Sequence, residues 1–385
     1  MIPFNRPYIA DSALNYFNEL SRHPHLSGDG LFTKRCHAWL EARVACTKAL
    51  LTHSCTAALE MTALLLTIQP GDEIIMPSYT FVSTANAFVL RGGVPIFVDI
   101  REDTLNINER LIGAAITPRT RAIVPVHYAG VACEMDEILA IADHYDVLVI
   151  EDAAQGIMAS YKQRALGSIG TFGAYSFHET KNIISGEGGA LLINDANFSL
   201  PAEIIREKGT DRSRFLRGEV DKYTWQEVGS SFLPSELMAA FLWSQLEEAE
   251  KITEKRLTLW DYYHAQLQPL EDTGMLRRPV VPSDCQHNAH MYYVMLAPHL
   301  DRQAILAELK KNQVQAVSHY VPLHTSPAGK RYGRASDELS LTDSLSSRII
   351  RLPLWVGLSH DQQAYVIEQL AVAIRRSIRK VSYSA

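Results

Sequence analysis

The stretch that decides the fold is Leu148-Val149-Ile150-Glu151-Asp152-Ala153-Ala154-Gln155-Gly156, followed by Ser176-Phe177-His178-Glu179-Thr180-Lys181-Asn182 and the bend Ser185-Gly186-Glu187-Gly188-Gly189. The apolar run Val147–Ile150 reads as a buried strand, and Asp152 stands just past its carboxyl end, where open α/β sheets place their ligands. Lys181 follows 29 residues later, beyond a second strand-like run at Phe172–Phe177. A carboxylate that faces a heterocyclic nitrogen, with a lysine amine reaching the same crevice, is the chemical pattern of pyridoxal 5'-phosphate use. The protonated ring withdraws electrons from a carbanion, while the amine anchors the cofactor and moves protons. Taken singly, Asp152 also reads as a helix cap and Lys181 as a solvated surface charge. Their joint occurrence with an anion site carries the reading.

That anion site is His53-Ser54-Cys55-Thr56, between a short strand at Lys48–Thr52 and a helical stretch over Ser54–Ile68. The N–H groups at a helix start, helped by the Ser54 and Thr56 hydroxyls, suit a phosphate; simple N-capping by Ser54 is the plainer reading of the same residues.

Outward from this window the pattern stays alternating. Glu73–Met76, Val94–Val98 and Arg121–Val126 read as strands, and Thr80–Leu90 and Glu134–His144 as helices, with another helix after Asn106. Short apolar strands alternating with helices predict a mostly parallel sheet covered on both faces. Gly189–Ile193 reads as another strand, and a long helical segment runs from Pro234 toward Leu267. Beyond it, strands near Met291–Leu296 and Val314–Ser318 and helices near Thr342–Ile350 and His360–Ser377 predict a smaller α+β region. The expected division is therefore a large domain over 1–250 and a small domain over 251–385.

Composition narrows the class. The chain has 385 residues, 47% hydrophobic and 21% charged, ordinary for a folded globular enzyme. With 37 Lys and Arg against 43 Asp and Glu, the net charge is −6, which argues against a nucleic-acid binder. No apolar run reaches the roughly 18 residues that span a bilayer, and Asn5 and Arg6 interrupt any signal-like start, so a cytoplasmic location without membrane contact is expected. The five cysteines (Cys36, Cys46, Cys55, Cys133 and Cys285) form no Cys-x-x-Cys and read as reduced thiols. Gly167-x-x-Gly170-x-x-Gly173 lacks the spacing of a dinucleotide fingerprint, and no phosphate-loop or nucleophile-elbow motif occurs. His287 and His290 have no carboxylate pattern around them, so no metal is expected.

Glu151–Gln155, Ser176–Asn182 and Gly186-Glu187-Gly188-Gly189 resemble the sugar aminotransferases of the DegT/DnrJ/EryC1/StrS family. The resemblance begins at Leu26-Ser27-Gly28-Asp29-Gly30, continues through Pro77-Ser78-Tyr79-Thr80-Phe81-Val82-Ser83-Thr84, and ends around Arg351-Leu352-Pro353-Leu354. It implies an α/β chain of the aspartate-aminotransferase fold: a large domain built on a mostly parallel mixed sheet, followed by a smaller C-terminal α+β domain. By the same resemblance Lys181 holds the cofactor as a Schiff base, Asp152 pairs with its ring nitrogen and Gln155 lies against its phenolic oxygen. Phe81 would stack on the ring, an alternative to ordinary core packing. The backbone of Cys55 and Thr56, with Ser176, would hold the phosphate. Gly28, Asp29, His319, Tyr320 and His324 fall in substrate-pocket segments, where the plainer reading is packed or solvent-facing polar groups.

The family's Gly-Tyr-Asn-Tyr-Arg is replaced here by Gly229-Ser230-Ser231-Phe232-Leu233, which makes Ser231 the candidate contact to a partner subunit's phosphate. The resemblance further implies a homodimer with shared active sites, L-glutamate as amino donor and a dTDP-linked 4-keto-6-deoxy sugar as acceptor. UDP- or GDP-sugars and amination at C3 are alternatives. A dehydratase on this scaffold carries histidine in place of the lysine, against Lys181, and a DNA-binding regulator needs an appended domain for which the match leaves no residues.

Overall fold

The computed structural model describes residues 1–22 and 25–382. Eight strands form its main sheet in the order Lys48–Thr52, Gly189–Ile193, Phe172–Ser176, Leu148–Asp152, Thr120–Ile123, Glu73–Pro77, Val94–Val98 and Arg334–Ala335. Only Gly189–Ile193 runs against the others. Successive side chains of these strands enter opposite cores, as a period of two requires. Val149, Tyr175 and Leu192 pack on one face, while Ile150, Ala174 and Leu191 pack on the other. Both faces are buried under helices, which is why the strands are apolar runs and do not alternate with polar residues.

The sheet exposes a single functional edge. Thr52, Pro77, Asp152 and Ser176 all end their strands there, and Gly189 begins its own at the same level, opposite both Thr52 and Ser176. Gly189 is needed at this point: a Cβ there would stand 2.4 Å from the Cys55 nitrogen. The start of the Cys55–Leu65 helix is thereby pressed onto the edge of the sheet.

The glycines that imitated a nucleotide fingerprint have a packing role. A Cβ on Gly170 would meet the Val149 carbonyl at 2.7 Å, and one on Gly173 would meet the Gly167 carbonyl at 2.3 Å. The turn they form wraps the buried Glu151, whose carboxylate accepts the N–H groups of Gly167, Ile169 and Gly170 at 2.6–2.7 Å and pairs with His127 Nε2 at 2.9 Å.

A second sheet of Leu276–Arg277, Tyr292–Leu296 and Ile349–Leu352 is wholly antiparallel and has its own apolar core. The helical run after Pro234 is two helices, Glu236–Leu246 and Ala249–Gln266, the second of which begins in the core of the large sheet and ends in that of the small one. Two segments cross the expected cut at residue 250: Ile2 pairs with Val314, and Arg334–Ala335 joins the edge of the large sheet. Two element expectations fail here. Val314–Ser318 makes only single bridges, from Val314 to Ile2 and from Val317 to Arg351. The helix expected over Thr342–Ile350 is Ser340–Ser346, and Ile349–Leu352 is a buried strand. Short apolar runs do not distinguish a buried helix turn from a strand, and the pairing with Tyr292–Met295 decides it.

Candidate active site

A cavity of about 630 Å³ opens above the carboxyl edge of the large sheet. Asp152, Gln155, Ser176, Lys181, Cys55, Thr56, Phe81, His319 and Tyr320 all line it. These residues come from five separate stretches of chain.

Asp152 is 5% exposed, and its carboxylate is held on two sides. Oδ2 accepts the Thr84 hydroxyl at 2.7 Å and Oδ1 accepts the Ala154 N–H at 3.2 Å. Thr84, within the Val82–Val89 helix, is itself oriented by Thr80 at 2.8 Å. Gln155 is fixed by accepting the Ala129 N–H at 2.7 Å while its Nε2 donates to the Tyr320 hydroxyl at 3.0 Å.

Lys181 follows the Phe172–Ser176 strand on a tight loop closed by the glycine bend. The Phe177 and Glu179 N–H groups donate to the Gly188 and Gly186 carbonyls, each at 2.8 Å. Gly186 takes φ 81°, which a side chain would resist. The next residue pins the loop from below: Asn182 Nδ2 donates to the Asn288 carbonyl at 2.8 Å, and its Oδ1 lies 3.0 Å from His290 Nδ1. Burial pushes the Lys181 ammonium below the ordinary lysine range, with the Arg351 charge acting in the same direction and Cys55 and Asp152 opposing. The amine is thus biased toward its neutral, nucleophilic form.

The Cys55–Leu65 helix starts at the cavity wall with Ser54 as its cap, the hydroxyl accepting the Ala57 N–H at 3.1 Å. The first N–H groups of a helix have no acceptor within it, which leaves those of Cys55 and Thr56, two residues of the cavity wall, without a partner in the helix. The Thr56 hydroxyl lies 2.7 Å from that of Ser83. Ser54 is thus a helix cap, as the plainer reading of these residues has it. Phe81 is 56% exposed and lines the cavity, which excludes the core-packing alternative.

Of the expected substrate residues, His319 and Tyr320 line the cavity, stacked with ring centroids 3.6 Å apart. His319 Nδ1 lies 2.7 Å from the Tyr128 hydroxyl, and burial holds the imidazole well below its ordinary pKa. The other expected residues lie off the cavity wall. His324 sits 2.7 Å from Ser78 Oγ and 3.4 Å from Asp343, tying the Leu323–Thr325 turn to the end of the Glu73–Pro77 strand. Asp29 pairs with Arg206 at 2.7 Å, and Gly28 packs under Leu233 and Pro234. Their loop is fixed by Glu236, whose carboxylate accepts the N–H groups of Gly30, Phe32 and Thr33. Ser231 is exposed and pairs by a single bridge with Glu207; Phe232 beside it accepts the His53 N–H at 3.1 Å. His287 packs on Trp260, and no cluster of three or more metal-ligating side chains occurs among the described residues.

Sequence reading missed three groups that bear on the site: Thr84, the buried partner of Asp152, and His290 and Arg351 on the cavity wall. Thr84 lies in the quoted Pro77–Thr84 stretch, where its four-residue spacing from Thr80 was the available signal. His290 and Arg351 reach the cavity from the C-terminal region, and no local pattern announces either.

The donor set fits pyridoxal 5'-phosphate: a half-buried lysine, a doubly held carboxylate and a helix start meet in one cavity. Fold and site together define the class, an aminotransferase on an α/β scaffold. A model of the DegT/DnrJ/EryC1/StrS aminotransferase family matches residues 7–371, and the chain belongs to that family. It is 32% identical over 375 residues to the spore coat polysaccharide biosynthesis protein SpsC of Bacillus subtilis (strain 168), covering 95% of each chain. Among solved structures it superposes on Spr1654 of Streptococcus pneumoniae in its PMP form with a TM-score of 0.91 at 23% identity, covering 99% of both chains. It also superposes on NtdA of Bacillus subtilis with bound PMP, with a TM-score of 0.85 at 29% identity, covering 95% of this chain and 82% of that one. Among the described residues no helix is long and apolar enough to cross a membrane.

Proposed function

We propose that the protein uses pyridoxal 5'-phosphate to move an amino group from L-glutamate to C4 of dTDP-4-keto-6-deoxy-D-glucose. The products are dTDP-4-amino-4,6-dideoxy-D-galactose and 2-oxoglutarate, for a surface glycan such as enterobacterial common antigen or an O-antigen. One observation carries the aminotransferase reading: Lys181 and the doubly held Asp152 open into the same cavity as the start of the Cys55–Leu65 helix. The choice of sugar rests on longer resemblances. Val124–Asp136, Ser176–Asn182, Ile205–Thr210 and Asp221–Trp225 resemble dTDP-4-amino-4,6-dideoxygalactose transaminase, and Gln286–Tyr293 does so less closely. The polysaccharide role in SpsC's name agrees with a glycan destination.

In this reading the cofactor supplies an electron sink for the carbon that loses or gains the amine. Asp152 would keep the ring nitrogen protonated, and Gln155, in the position that Ala129 and Tyr320 fix, would hydrogen-bond the phenolic oxygen. Phe81 would cover one ring face, while Cys55, Thr56 and Ser176 would hold the phosphate. Lys181 would anchor the cofactor, and its amine would be the group that accepts and returns the proton at the carbon losing or gaining the amino group. His319 and Tyr320 contact substrate directly; Gly28, Asp29, His324 and Ser231, off this cavity, belong to a site shared across a homodimer. Residues 1–250 and 251–385 form the two domains in the same proposal.

The test incubates enzyme, cofactor and glutamate with the dTDP-, UDP- and GDP-linked 4-keto-6-deoxyglucoses, and identifies each product by NMR. Selective formation of the dTDP-linked 4-amino-galacto sugar is expected. Amination at C3, or preference for another nucleotide, would overturn the substrate assignment.

A further inference from the structure

The segment Asn288-Ala289-His290 leads into the Tyr292–Leu296 strand of the small sheet and is tied to two stretches that line the cavity from the large one. Asn288 is fully buried, and its Nδ2 donates to the Gln155 and Ile157 carbonyls, each at 2.7 Å. Gly130, at φ 78°, leaves the room for it, since a Cβ there would collide with Asn288 Oδ1. The Asn288 carbonyl accepts Asn182 Nδ2 at 2.8 Å, and Asn288 Oδ1 accepts the His290 N–H at 3.0 Å. Arg256, from the Ala249–Gln266 helix, fixes the backbone of the segment by donating to the Ala289 and His290 carbonyls at 3.1 and 2.7 Å.

These bonds decide the state of His290. A carbonyl only accepts, so the Asn182 nitrogen is the atom facing Asn288, and Oδ1 is the atom 3.0 Å from His290 Nδ1. Nδ1 therefore carries the hydrogen. Burial, with the cations Lys181, Arg256 and Arg351, holds the imidazole well below its ordinary pKa, so the ring is neutral and Nε2 is unprotonated. His290 also lines the cavity together with Lys181, yet none of the proposed cofactor or substrate contacts uses it. We propose that His290 is a positioning residue for Lys181: through Asn182 it fixes the lysine's loop to the segment that also holds Gln155. The inference deepens the aminotransferase reading and rests on it.

Both groups need a common reference. Lys181 and Gln155 follow different strands, and a misplacement of about 1 Å at a reacting centre costs on the order of 100-fold in rate. Asn288 grips the backbone of Gln155, and His290 grips the residue after Lys181, so three consecutive residues set one group against the other. A neutral imidazole does this without adding a cation beside the Lys181 amine, whose ammonium burial already disfavours.

Side chains that imitate each half of the imidazole separate this role from others. In His290→Asn the amide nitrogen takes the place of Nδ1 and still donates to Asn182; in His290→Gln it lies near the place of Nε2, and the bond is lost. Each variant is loaded with cofactor, and single-turnover absorbance follows the donor half-reaction with L-glutamate and the acceptor half-reaction with the keto sugar. His290→Gln should lower the maximal rate of both about 30-fold, and His290→Asn should recover most of that loss. The half-saturating concentration of each substrate should change little, because His290 touches neither. Asn182→Ala breaks the same bond from its partner and should match His290→Gln, with the double variant no slower than either single one. Capture of cofactor by the apo proteins, read from the visible band, needs no turnover. It should slow in His290→Gln and Asn182→Ala, and its pH midpoint should stay in place in His290→Asn, where no cation is removed. Additive losses in the double variant, equal losses in His290→Asn and His290→Gln, or wild-type rates in His290→Gln would overturn the proposal. So would a weakened half-saturation confined to one substrate, in favour of direct substrate contact by Nε2, or a raised midpoint in His290→Asn, which a charged imidazole would give. A wild type that captures the cofactor but reacts with no α-amino acid would instead overturn the aminotransferase reading, and the capture rates would still decide the role of His290.

Discussion

Replacing Asp152 with asparagine keeps the size of the side chain and removes its charge. In the structure Oδ1 is held by the Ala154 N–H at 3.2 Å and Oδ2 by the Thr84 hydroxyl at 2.7 Å, so the carboxylate is already fixed before cofactor binds. The asparagine retains one of these acceptors, and the protein should fold and take up cofactor. What it loses is the charge-assisted contact to the ring nitrogen where negative charge develops, a term of about 2–4 kcal/mol and hence roughly two to three decades in rate. Thr84→Val leaves the charge but frees one oxygen of its partner. A hydrogen bond to a charged group is worth about 1.5–3 kcal/mol, so its loss should slow the same steps by roughly one to two decades. The assay is stopped-flow absorbance of the two half-reactions, each started with its own substrate and normalised to bound cofactor. The expected order is wild type, Thr84→Val, then Asp152→Asn, in both half-reactions. A change below threefold in Asp152→Asn, with cofactor bound, would refute the reasoning and leave Asp152 as a structural cap.

Lys181→Ala should bind cofactor more weakly and show no turnover, since anchor and proton carrier are lost together; near-normal transamination would refute its assignment. Because burial and Arg351 disfavour the Lys181 ammonium, cofactor capture by the apo protein should rise with pH to a midpoint below the ordinary lysine value of 10.5. That midpoint should move up in Arg351→Gln, which removes a cation, and down in Asp152→Asn, which removes the opposing charge; absorbance-monitored reconstitution across pH checks both signs. The protein should be a homodimer whose sites use both chains, so mixing Lys181→Ala subunits with subunits altered at Ser231 and Phe232 should restore a fraction of activity. An active monomer by sedimentation at assay concentration would contradict this.

The large sheet is legible because its strands are continuous apolar runs buried on both faces, and each is followed by a helix or a turn signal. The site is legible where chemistry and position coincide: Asp152 at a strand end, Lys181 one strand later, and Ser54–Thr56 at a helix start. Legibility fails where tertiary pairing decides the outcome. Ile349–Leu352 carries no signal separating it from the preceding helix, and only its ladder with Tyr292–Met295 makes it a strand. Arg351 was missed for the same reason, because its place on the cavity wall follows from that strand. Thr84 was legible as part of a motif but not as a partner, since its bond to Asp152 spans 68 residues. Glu151 shows the opposite case: beside Asp152 in the quoted window, it turns away from the cavity and organises the Gly167–Gly170 turn.

The central claim is that Lys181 holds the cofactor in the cavity where Asp152 and the Cys55–Leu65 helix meet. Borohydride reduction of the cofactor-loaded protein, followed by proteolysis and peptide mass spectrometry, tests it most directly. The account predicts one stoichiometric pyridoxyl-phosphate adduct on the peptide containing Lys181, absent from Lys181→Ala. An adduct on another lysine, or no adduct on a protein that binds the cofactor and transfers amino groups, would contradict it.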